Sequence, residues 1–221
     1  VVCHDFRIWE IFFTHQILLK NPHKLFVMKR VSVDKKKAVI DILSEAFNDN
    51  LSVNYVVKQD SQRKSRIRGL MDYSFNICNA FGEIWLSDDE QACALILFPD
   101  KKRTNLNSII WDIRLALSVI GVNRISKVLQ RESKIKKFHP QKPFTYLWFI
   151  GVRSALQNKG KGSDLLNEII QQSQQKKRSI YLETSVERNL LWYKSKGFEI
   201  YQQLESTYKL FLLRKEYNQE R

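Results

Sequence analysis

The 221-residue sequence predicts a mixed α/β fold in one domain, and three observations support this prediction. Hydrophobic residues make up 43% of the chain and aromatic residues 12%, a composition typical of a packed core. From residue 28 onward, amphipathic helical patterns alternate with short apolar runs of strand length. The length suits a single domain with a sizeable core and is short for two.

The first half of the domain is expected to hold a strand, two helices and a hairpin. A strand is predicted directly after Met28-Lys29-Arg30, and apolar residues then recur at helical spacing over residues 35–47 and 62–80. Residues 82–86 and 91–98 flank an acidic turn, so they are predicted to pair as an antiparallel hairpin that ends at Pro99.

The second half is predicted to contain a long helical segment followed by a strand–helix–strand–helix block. Residues 107–137 show helical periodicity with a break at Gly121. Residues 144–152 form a nearly unbroken apolar run, as expected for a central strand buried on both faces. The remaining elements are a helix over 163–175, a strand over 179–185, a short helix over 189–196 and a strand over 208–213.

The net charge and the cysteines limit which classes of function are expected. The net charge is +14, but the basic residues are spread over several segments without a zinc finger, basic zipper or RNA-binding strand. A solvated basic surface is therefore favoured over nucleic-acid binding.

Three widely spaced cysteines and four scattered histidines lack metal-ligand spacing, so no metal site is expected and reduced thiols in a cytoplasmic protein are the simpler interpretation.

Residues 1–27 are interpreted as an N-terminal extension of a domain that covers 28–221. Their apolar run, residues 8–19, is too short and too polar for a membrane span, and no signal-peptide pattern accompanies it. Two interpretations stay open: a segment upstream of a natural start at Met28, or a helix packed on the domain. No membrane partner is expected.

A loop with two glycines follows the predicted central strand and opens the next helix. It consists of Gln157, Asn158, Lys159, Gly160, Lys161 and Gly162. Glycines at this junction let the backbone approach a ligand, and a helix N-terminus favours an anion such as a pyrophosphate. The loop is neither a P-loop nor a dinucleotide fingerprint. Taken alone, it is more simply interpreted as an ordinary helix start.

The loop and the residues after it together resemble a known family. Gln157-x-x-Gly160-x-Gly162 matches the pattern Gln/Arg-x-x-Gly-x-Gly/Ala of the GCN5-related N-acetyltransferase (GNAT) superfamily at every defined position. Asn189-x-x-x-Tyr193 followed by Gly197-Phe198 is a second match in the expected order. The close resemblance covers residues 144–202, whereas 28–99 agree only in the order of elements.

The resemblance implies a fold and a cofactor. The fold would be a mixed, mostly antiparallel twisted sheet of six or seven strands with helices on both faces. Acetyl-CoA would bind with its pantetheine along the backbone of Ile150 and Val152 and its pyrophosphate on the 157–162 loop. The Val152 N–H would stabilise the oxyanion, a contribution of about 3–4 kcal/mol. Asn189 would bind the pantetheine arm or cap the short helix.

The resemblance also suggests a proton donor, and the alternation of the predicted strand suggests a base. Tyr193 would act as general acid toward the departing thiolate; the alternative is an aromatic residue that packs beside Phe198. Glu183, on the strand before the short helix, is the candidate base, and a structural or surface glutamate is an equal alternative.

Other residues are weaker candidates. Glu45 and Glu83 are further possible bases. Trp85, Trp111 and Trp148 either line the acceptor pocket or, more simply, belong to the core.

The expected reaction is direct transfer of an acetyl group to a primary amine of a small molecule or peptide. Residues 101–142 are a helical insert relative to a minimal family member, expected to cover the acceptor site or mediate self-association, and a homodimer is expected by analogy. The alternatives are a non-catalytic acyl-CoA sensor and a nucleic-acid-binding protein.

Overall fold

The computed structural model describes residues 28–217, so the predicted extension 1–27 and the last four residues of the predicted domain lie outside it. The strands are Met28–Arg30 (β1), Gly82–Ser87 (β2), Ala92–Leu97 (β3), Thr145–Val152 (β4), Ile180–Thr184 (β5), Glu199–Glu205 (β6) and Lys209–Lys215 (β7). The α-helices are Lys36–Ala46 (α1), Leu51–Val56 (α2), Arg63–Phe81 (α3), Leu106–Arg114 (α4), Ile125–Lys136 (α5), Lys161–Gln175 (α6) and Leu190–Ser195 (α7).

All seven strands form one sheet in the order β1-β2-β3-β4-β5-β7-β6. Every neighbouring pair is antiparallel except β4 and β5, which are parallel. The predicted mixed, mostly antiparallel sheet is therefore confirmed. The sequence patterns missed β6, because this edge strand is largely polar and its residues are only half-buried or exposed.

Helices cover both faces of the sheet, as predicted, and each face has its own core. On one face α1 and α3 pack their apolar sides, including Leu43, Met71 and Phe75, against β2 to β4. On the other face α6 and α7 pack residues such as Leu166 and Tyr193. The two cores are separated only by the thickness of the sheet.

A bulge in β4 changes which face its side chains reach. Leu95 of β3 pairs with Phe149 while Ile96 pairs with Leu147, so Trp148 is an extra residue. Trp148 and Phe149 consequently both pack with the α1/α3 core. Ile150 and Val152, two residues apart beyond the bulge, pack with the α6/α7 core.

The predicted helical insert consists of α4, its continuation Leu115–Ile120 as a π-helix, and α5. Gly121 breaks the segment with φ of +84°, as its position in the sequence predicted. Asn105 and Ser108 form a reciprocal capping box that begins α4. Among residues 28–217 no single helix is long and apolar enough to span a membrane; Leu106–Ile120 and Val122–Lys136 meet that criterion only as a pair, which is bent by 95°.

Candidate active site

The parallel strands β4 and β5 separate after their first residues. Their paired residues are Thr145 with Ile180 and Tyr146 with Tyr181. Both strands continue beyond this point, β4 to Val152 and β5 to Thr184. A wedge therefore opens in the middle of the sheet, between the C-terminal ends of two adjacent strands.

The end of β4 directs backbone groups into this wedge. The Arg153 N–H donates to the Gln91 carbonyl at 2.9 Å, so these residues form a hydrogen-bonded pair of the antiparallel ladder. Such pairs alternate with pairs whose N–H and C=O groups point away from the partner strand. Val152, opposite Ala92, is of the second kind, and so is Ile150. Their backbone groups thus face the side on which β5 has diverged.

A glycine in the left-handed region begins the helix that follows the loop. Gly160 is the N-cap of α6 with φ of +83°, a conformation that glycine adopts without the strain of a side chain. A Cβ atom at Gly160 would meet nothing within 4 Å, so the space beside the helix N-terminus is open. A Cβ at Gly162 would lie 3.6 Å from Val152 and 3.8 Å from Trp192, which are ordinary contacts. The positive φ of Gly160, and not a lack of room, explains why the family pattern requires glycine at the first position, whereas the ordinary contacts at Gly162 admit the alanine of the second.

The other residues of the 157–162 loop differ in whether their side chains contact the rest of the domain. Gln157 Nε2 donates to the Val152 carbonyl at 3.2 Å and so ties the loop to the end of β4. Asn158 has φ of +62° and Lys159 is exposed. The Lys161 ammonium forms an ion pair with Asp89. Its charge, which the sequence assigned wholly to the loop, is therefore shared with the β2–β3 turn.

Tyr193 lies in the α6/α7 core, in the same cluster as Ile150 and Val152. It is 5% exposed and packs against the rings of Trp192 and Phe198, at centroid distances of 4.6 and 5.6 Å. Burial raises the pKa of the Tyr193 phenol well above its ordinary value of about 10. The phenol is therefore protonated throughout the physiological range.

Asn189 precedes α7 without capping it through its side chain. It is the N-cap residue, yet no side-chain cap hydrogen bond forms. Within the described part of the chain its amide has no hydrogen-bonding partner. Of the two roles expected from the sequence, helix capping is therefore wrong, and the amide is free to bind a ligand.

Glu183 lies on the opposite face of the sheet from Tyr193, since its neighbour Leu182 points into the core that contains Tyr193. Its side chain is 9% exposed. The Tyr146 hydroxyl donates to Oε2 at 2.5 Å, and His139 Nε2 lies 2.9 Å from Oε1. Burial, together with the neighbouring carboxylates Glu183 and Glu132, raises the pKa of the Tyr146 phenol, so this hydroxyl keeps its proton.

The other two candidate bases have structural partners. Glu45 on α1 accepts from the Ser154 N–H at 2.7 Å and from Arg153 at 3.1 Å. The Ser154 hydrogen bond lowers the pKa of Glu45. Glu83 is buried and accepts from Lys176 at 2.7 Å and from the Trp85 indole at 3.3 Å. Of the three glutamates, only Glu183 contacts a histidine.

The three tryptophans all pack within or against the cores, and Trp148 also contacts Tyr146. Trp85 and Trp111 pack within or against the two cores, as the simpler expectation held. Trp148 is half-buried, stacks on Tyr146 and meets Tyr73 edge-on. An aromatic wall therefore lies beside Glu183 on the α1/α3 face.

The structure thus brings the predicted residues together as two groups. Ile150, Val152, Tyr193 and the 157–162 loop adjoin one another, whereas Glu183 lies apart from them with His139 and Tyr146. Sequence reasoning missed His139, because it is 44 residues from Glu183 and its only local feature was a helix end before Pro140. The strand alternation that places Tyr146 and Trp148 on one face was the only indication of Tyr146.

Cysteine and metal chemistry find no support among residues 28–217. Cys78 and Cys93 are free and buried, and burial raises the pKa of both thiols above their ordinary range. Both thiols are consequently protonated and inaccessible. In the same part of the chain no group of three or more histidine, cysteine or acidic side chains is arranged to hold a metal ion.

Residues 100–198, which include β4, the glycine loop, α6, β5 and α7, match the family model described as "Acetyltransferase (GNAT) family". The resemblance found in the sequence is therefore confirmed over residues 100–198, which match this acetyltransferase family.

Solved structures share the fold over most of their length. The histone acetyltransferase HPA2 and related acetyltransferase of Corynebacterium glutamicum is 22% identical, with a TM-score of 0.68 over 88% of this chain and 97% of that one. The C-terminal condensation domain of Ebony, in complex with beta-alanyl-dopamine, is 10% identical, with a TM-score of 0.61 over 87% and 100%. Arylalkylamine N-acetyltransferase 2 from Aedes aegypti is 14% identical, with a TM-score of 0.58 over 88% and 100%.

Proposed function

We propose that the protein transfers an acetyl group from acetyl-CoA directly to a primary amine. The observation that carries the proposal is the outward direction of the Val152 and Ile150 backbone groups at a wedge that adjoins the N-terminus of α6. An acyl thioester needs hydrogen-bond donors along an extended arm and an anion site at its far end. Groups within a few residues of sequence would supply both: the backbone N–H groups at the end of β4 and the N-terminus of α6.

The residues of the first group fit this cofactor. Acetyl-CoA supplies an acetyl group that is already activated as a thioester. The Val152 N–H would donate to the carbonyl oxygen as that oxygen gains charge, and the Asn189 amide would donate to or accept from the pantetheine arm. The open space at Gly160, the N–H groups of the first turn of α6 and the exposed Lys159 suit a pyrophosphate.

Tyr193 would return a proton to the leaving sulfur. Its burial keeps the phenol protonated but also makes it a weaker acid than a free tyrosine, which has a pKa of about 10. Proton transfer to a thiolate with a pKa of about 8.5 is thus uphill. Tyr193 is therefore a helper and not an absolute requirement.

Glu183 would act through His139. Both carboxylate oxygens of Glu183 are engaged. Oε2 accepts a hydrogen bond from the Tyr146 hydroxyl, and Oε1 lies within hydrogen-bonding distance of His139 Nε2. A histidine whose Nε2–H donates to a carboxylate keeps Nδ1 as the proton acceptor, and Nδ1 has no partner among the described residues. The pair is therefore suited to take the proton of an ammonium group, with the aromatic wall of Tyr146 and Trp148 beside the amine.

Thermal unfolding with and without acetyl-CoA tests the cofactor. At a hundred times its dissociation constant, a ligand stabilises the folded chain by about 2.7 kcal/mol, or roughly 5–10 °C for this size. ATP and a short duplex DNA at equal charge are the controls. An equal rise with every polyanion, or no rise with acetyl-CoA, would contradict the proposal.

Turnover separates an enzyme from an acyl-CoA sensor. A panel of small-molecule and peptide primary amines is incubated with acetyl-CoA, and the release of free CoA thiol is measured. Amine-dependent release supports transfer. A specific thermal shift without release from any amine would favour the sensor.

A further inference from the structure

The helix α4 presents a stripe of large apolar side chains to solvent. Leu106, Ile109, Ile110, Ile113 and Leu117 are between 43% and 79% exposed. Their spacing of three or four residues places them on one side of α4 and its π-helical continuation. We refer to these five residues as the insert stripe.

The insert stripe is not the face that packs α4 onto the domain. Ser108, Trp111 and Leu115 are buried or half-buried on the opposite side of the helix, at about 140–200° from Leu106 for 100° per residue. Trp111 and Leu115 pack against the α1/α3 core. The helix therefore has two apolar faces, and the fold uses only the inner one.

Exposed apolar residues concentrate in the insert. Of the eleven large hydrophobic residues exposed among residues 28–217, eight lie between positions 101 and 142. The other three, Val33, Leu51 and Leu191, occur singly, as is normal for a protein surface. A contiguous exposed stripe instead marks an interaction surface.

The same insert carries most of the net positive charge. Residues 101–142 contain eleven lysines and arginines and two acidic residues, a net charge of +9 out of +14 for the chain. Lys101, Lys102 and Arg103 directly precede α4, and Arg114 flanks the stripe. Of the lysines and arginines of the insert, which lies wholly within residues 28–217, only Arg131 and Lys142 form ion pairs.

We propose that the insert docks onto the surface of an anionic phospholipid membrane, with the insert stripe in the boundary between head groups and acyl chains. A stripe of leucine and isoleucine flanked by basic residues is the pattern of a helix that lies in this interface. Each basic residue near an anionic surface adds to the attraction. This position differs from a membrane span, which the sequence analysis argued against, and it is contrary to the expectation that no membrane is a partner.

Charge decides between the membrane and a second copy of the chain. Two inserts packed face to face would each bring a net charge of +9, and like charges in contact disfavour assembly. An anionic surface neutralises the same charges. The stripe also projects on a helix and does not line a groove, so it suits a deformable surface. The proposal is independent of the proposed acetyl transfer.

Vesicle co-sedimentation of the full chain tests the proposal. We expect binding to vesicles of phosphatidylcholine with phosphatidylserine, weak binding to phosphatidylcholine alone, and a decrease with added salt. Replacing Lys101, Lys102 and Arg103 together by glutamine should lower partitioning on the order of 100-fold, at roughly fivefold for each charge. The variant I109D/I113D should lose binding, whereas the control V33D, an exposed apolar residue beside Lys35 and Lys37, should keep it.

Four results would overturn the proposal. Equal binding to both vesicles would show that the insert does not recognise anionic lipid, and unchanged binding by I109D/I113D would show that the stripe does not enter the bilayer. A dimer in sedimentation equilibrium that I109D/I113D dissociates would assign the stripe to a second copy. No binding by the full chain would leave residues 1–27 or an acidic protein as the occupant. An unchanged thermal midpoint verifies that the variants fold, because the stripe is exposed.

Discussion

Tyr193 has an environment that both suits and limits a proton donor. It packs between Trp192 and Phe198 and is nearly inaccessible to water. The absence of solvent around the phenol penalises the tyrosinate and raises its pKa. The phenol therefore stays protonated, but proton transfer from it to a thiolate is less favourable than the pKa values of a free tyrosine and a free thiol suggest.

Replacing Tyr193 by phenylalanine should lower kcat by roughly 100-fold, the usual contribution of one general acid. The stabilisation by acetyl-CoA should remain, since the ring still packs in the same cluster. The control is Phe198→Leu, which disturbs the cluster without removing a hydroxyl. If Y193F turns over as fast as the parent chain, the role of Tyr193 is packing.

Glu183 and His139 should behave as one unit. Either Glu183→Gln or His139→Asn is expected to lower kcat by roughly 10²- to 10⁴-fold, because each removes the oriented proton acceptor. The double variant should lose little more than either single variant. The measurement is kcat as a function of pH, with the acetyl-CoA thermal shift as the check on folding.

A merely structural role for this pair predicts a different result. The variants would then lose activity because they are less stable. The acidic limb of the pH–rate profile would keep its position, and the free-energy effects of the two single substitutions would add in the double variant. Additive effects without a change in the pH profile would contradict the proposed proton relay.

At the scale of elements, the loop before α6 is built around two glycines with unequal demands. Gly160 needs its positive φ and faces open space, whereas Gly162 tolerates a methyl group. The loop is also joined to its neighbours by Gln157 on Val152 and by the Trp192 indole on Ser163, at 2.9 Å. The proposed anion site is thus held by three elements.

Replacing Gly160 by glutamate should abolish stabilisation by acetyl-CoA, because it places bulk and negative charge where the pyrophosphate is expected. The left-handed φ adds a stability loss of about 1–2 kcal/mol. The measurement is the thermal shift relative to each variant's own baseline. Gln171→Glu, on the exposed side of the same helix, adds the same charge and should keep the shift; a retained shift in G160E would place the pyrophosphate elsewhere.

For the whole molecule, several carboxylates are held by cationic or backbone partners across the fold. Arg66 donates to both oxygens of Asp60 at 2.9 and 2.7 Å and lowers the pKa of that carboxyl far below its usual range. Arg178 does the same for Asp100 and lowers its pKa. A carboxyl whose folded pKa is depressed stabilises the fold above its unfolded pKa of about 3.9 and loses that contribution as pH falls toward the folded value.

The free energy of unfolding should therefore decrease as the pH is lowered below about 4. Asp60→Asn should make this decrease shallower, because one group that takes up a proton on unfolding is gone. Denaturant unfolding at several pH values measures the slope. The exposed Asp49, changed to asparagine, is the matched control, and an identical slope in D60N and the parent chain would contradict the assignment.

Local patterns in the sequence were sufficient for most elements and for half of the candidate site. Helical periodicity, the break at Gly121 and the glycine loop depend on neighbouring residues, so they can be read without a structure. The same holds for the order of Val152, Gly160, Gly162 and Tyr193, because the loop and its flanking elements are contiguous in the chain. The polar edge strand β6 lacked such a pattern and was missed.

Long-range packing decided the rest. The pairing of His139 with Glu183 joins residues far apart in the chain, and it depends on how the insert returns to the sheet. The direction of the Val152 N–H follows from its register with Ala92. Helical periodicity in α4 likewise identified an apolar side, but only the fold shows that this side faces outward, because a periodic pattern is the same whether its apolar face meets a core or solvent.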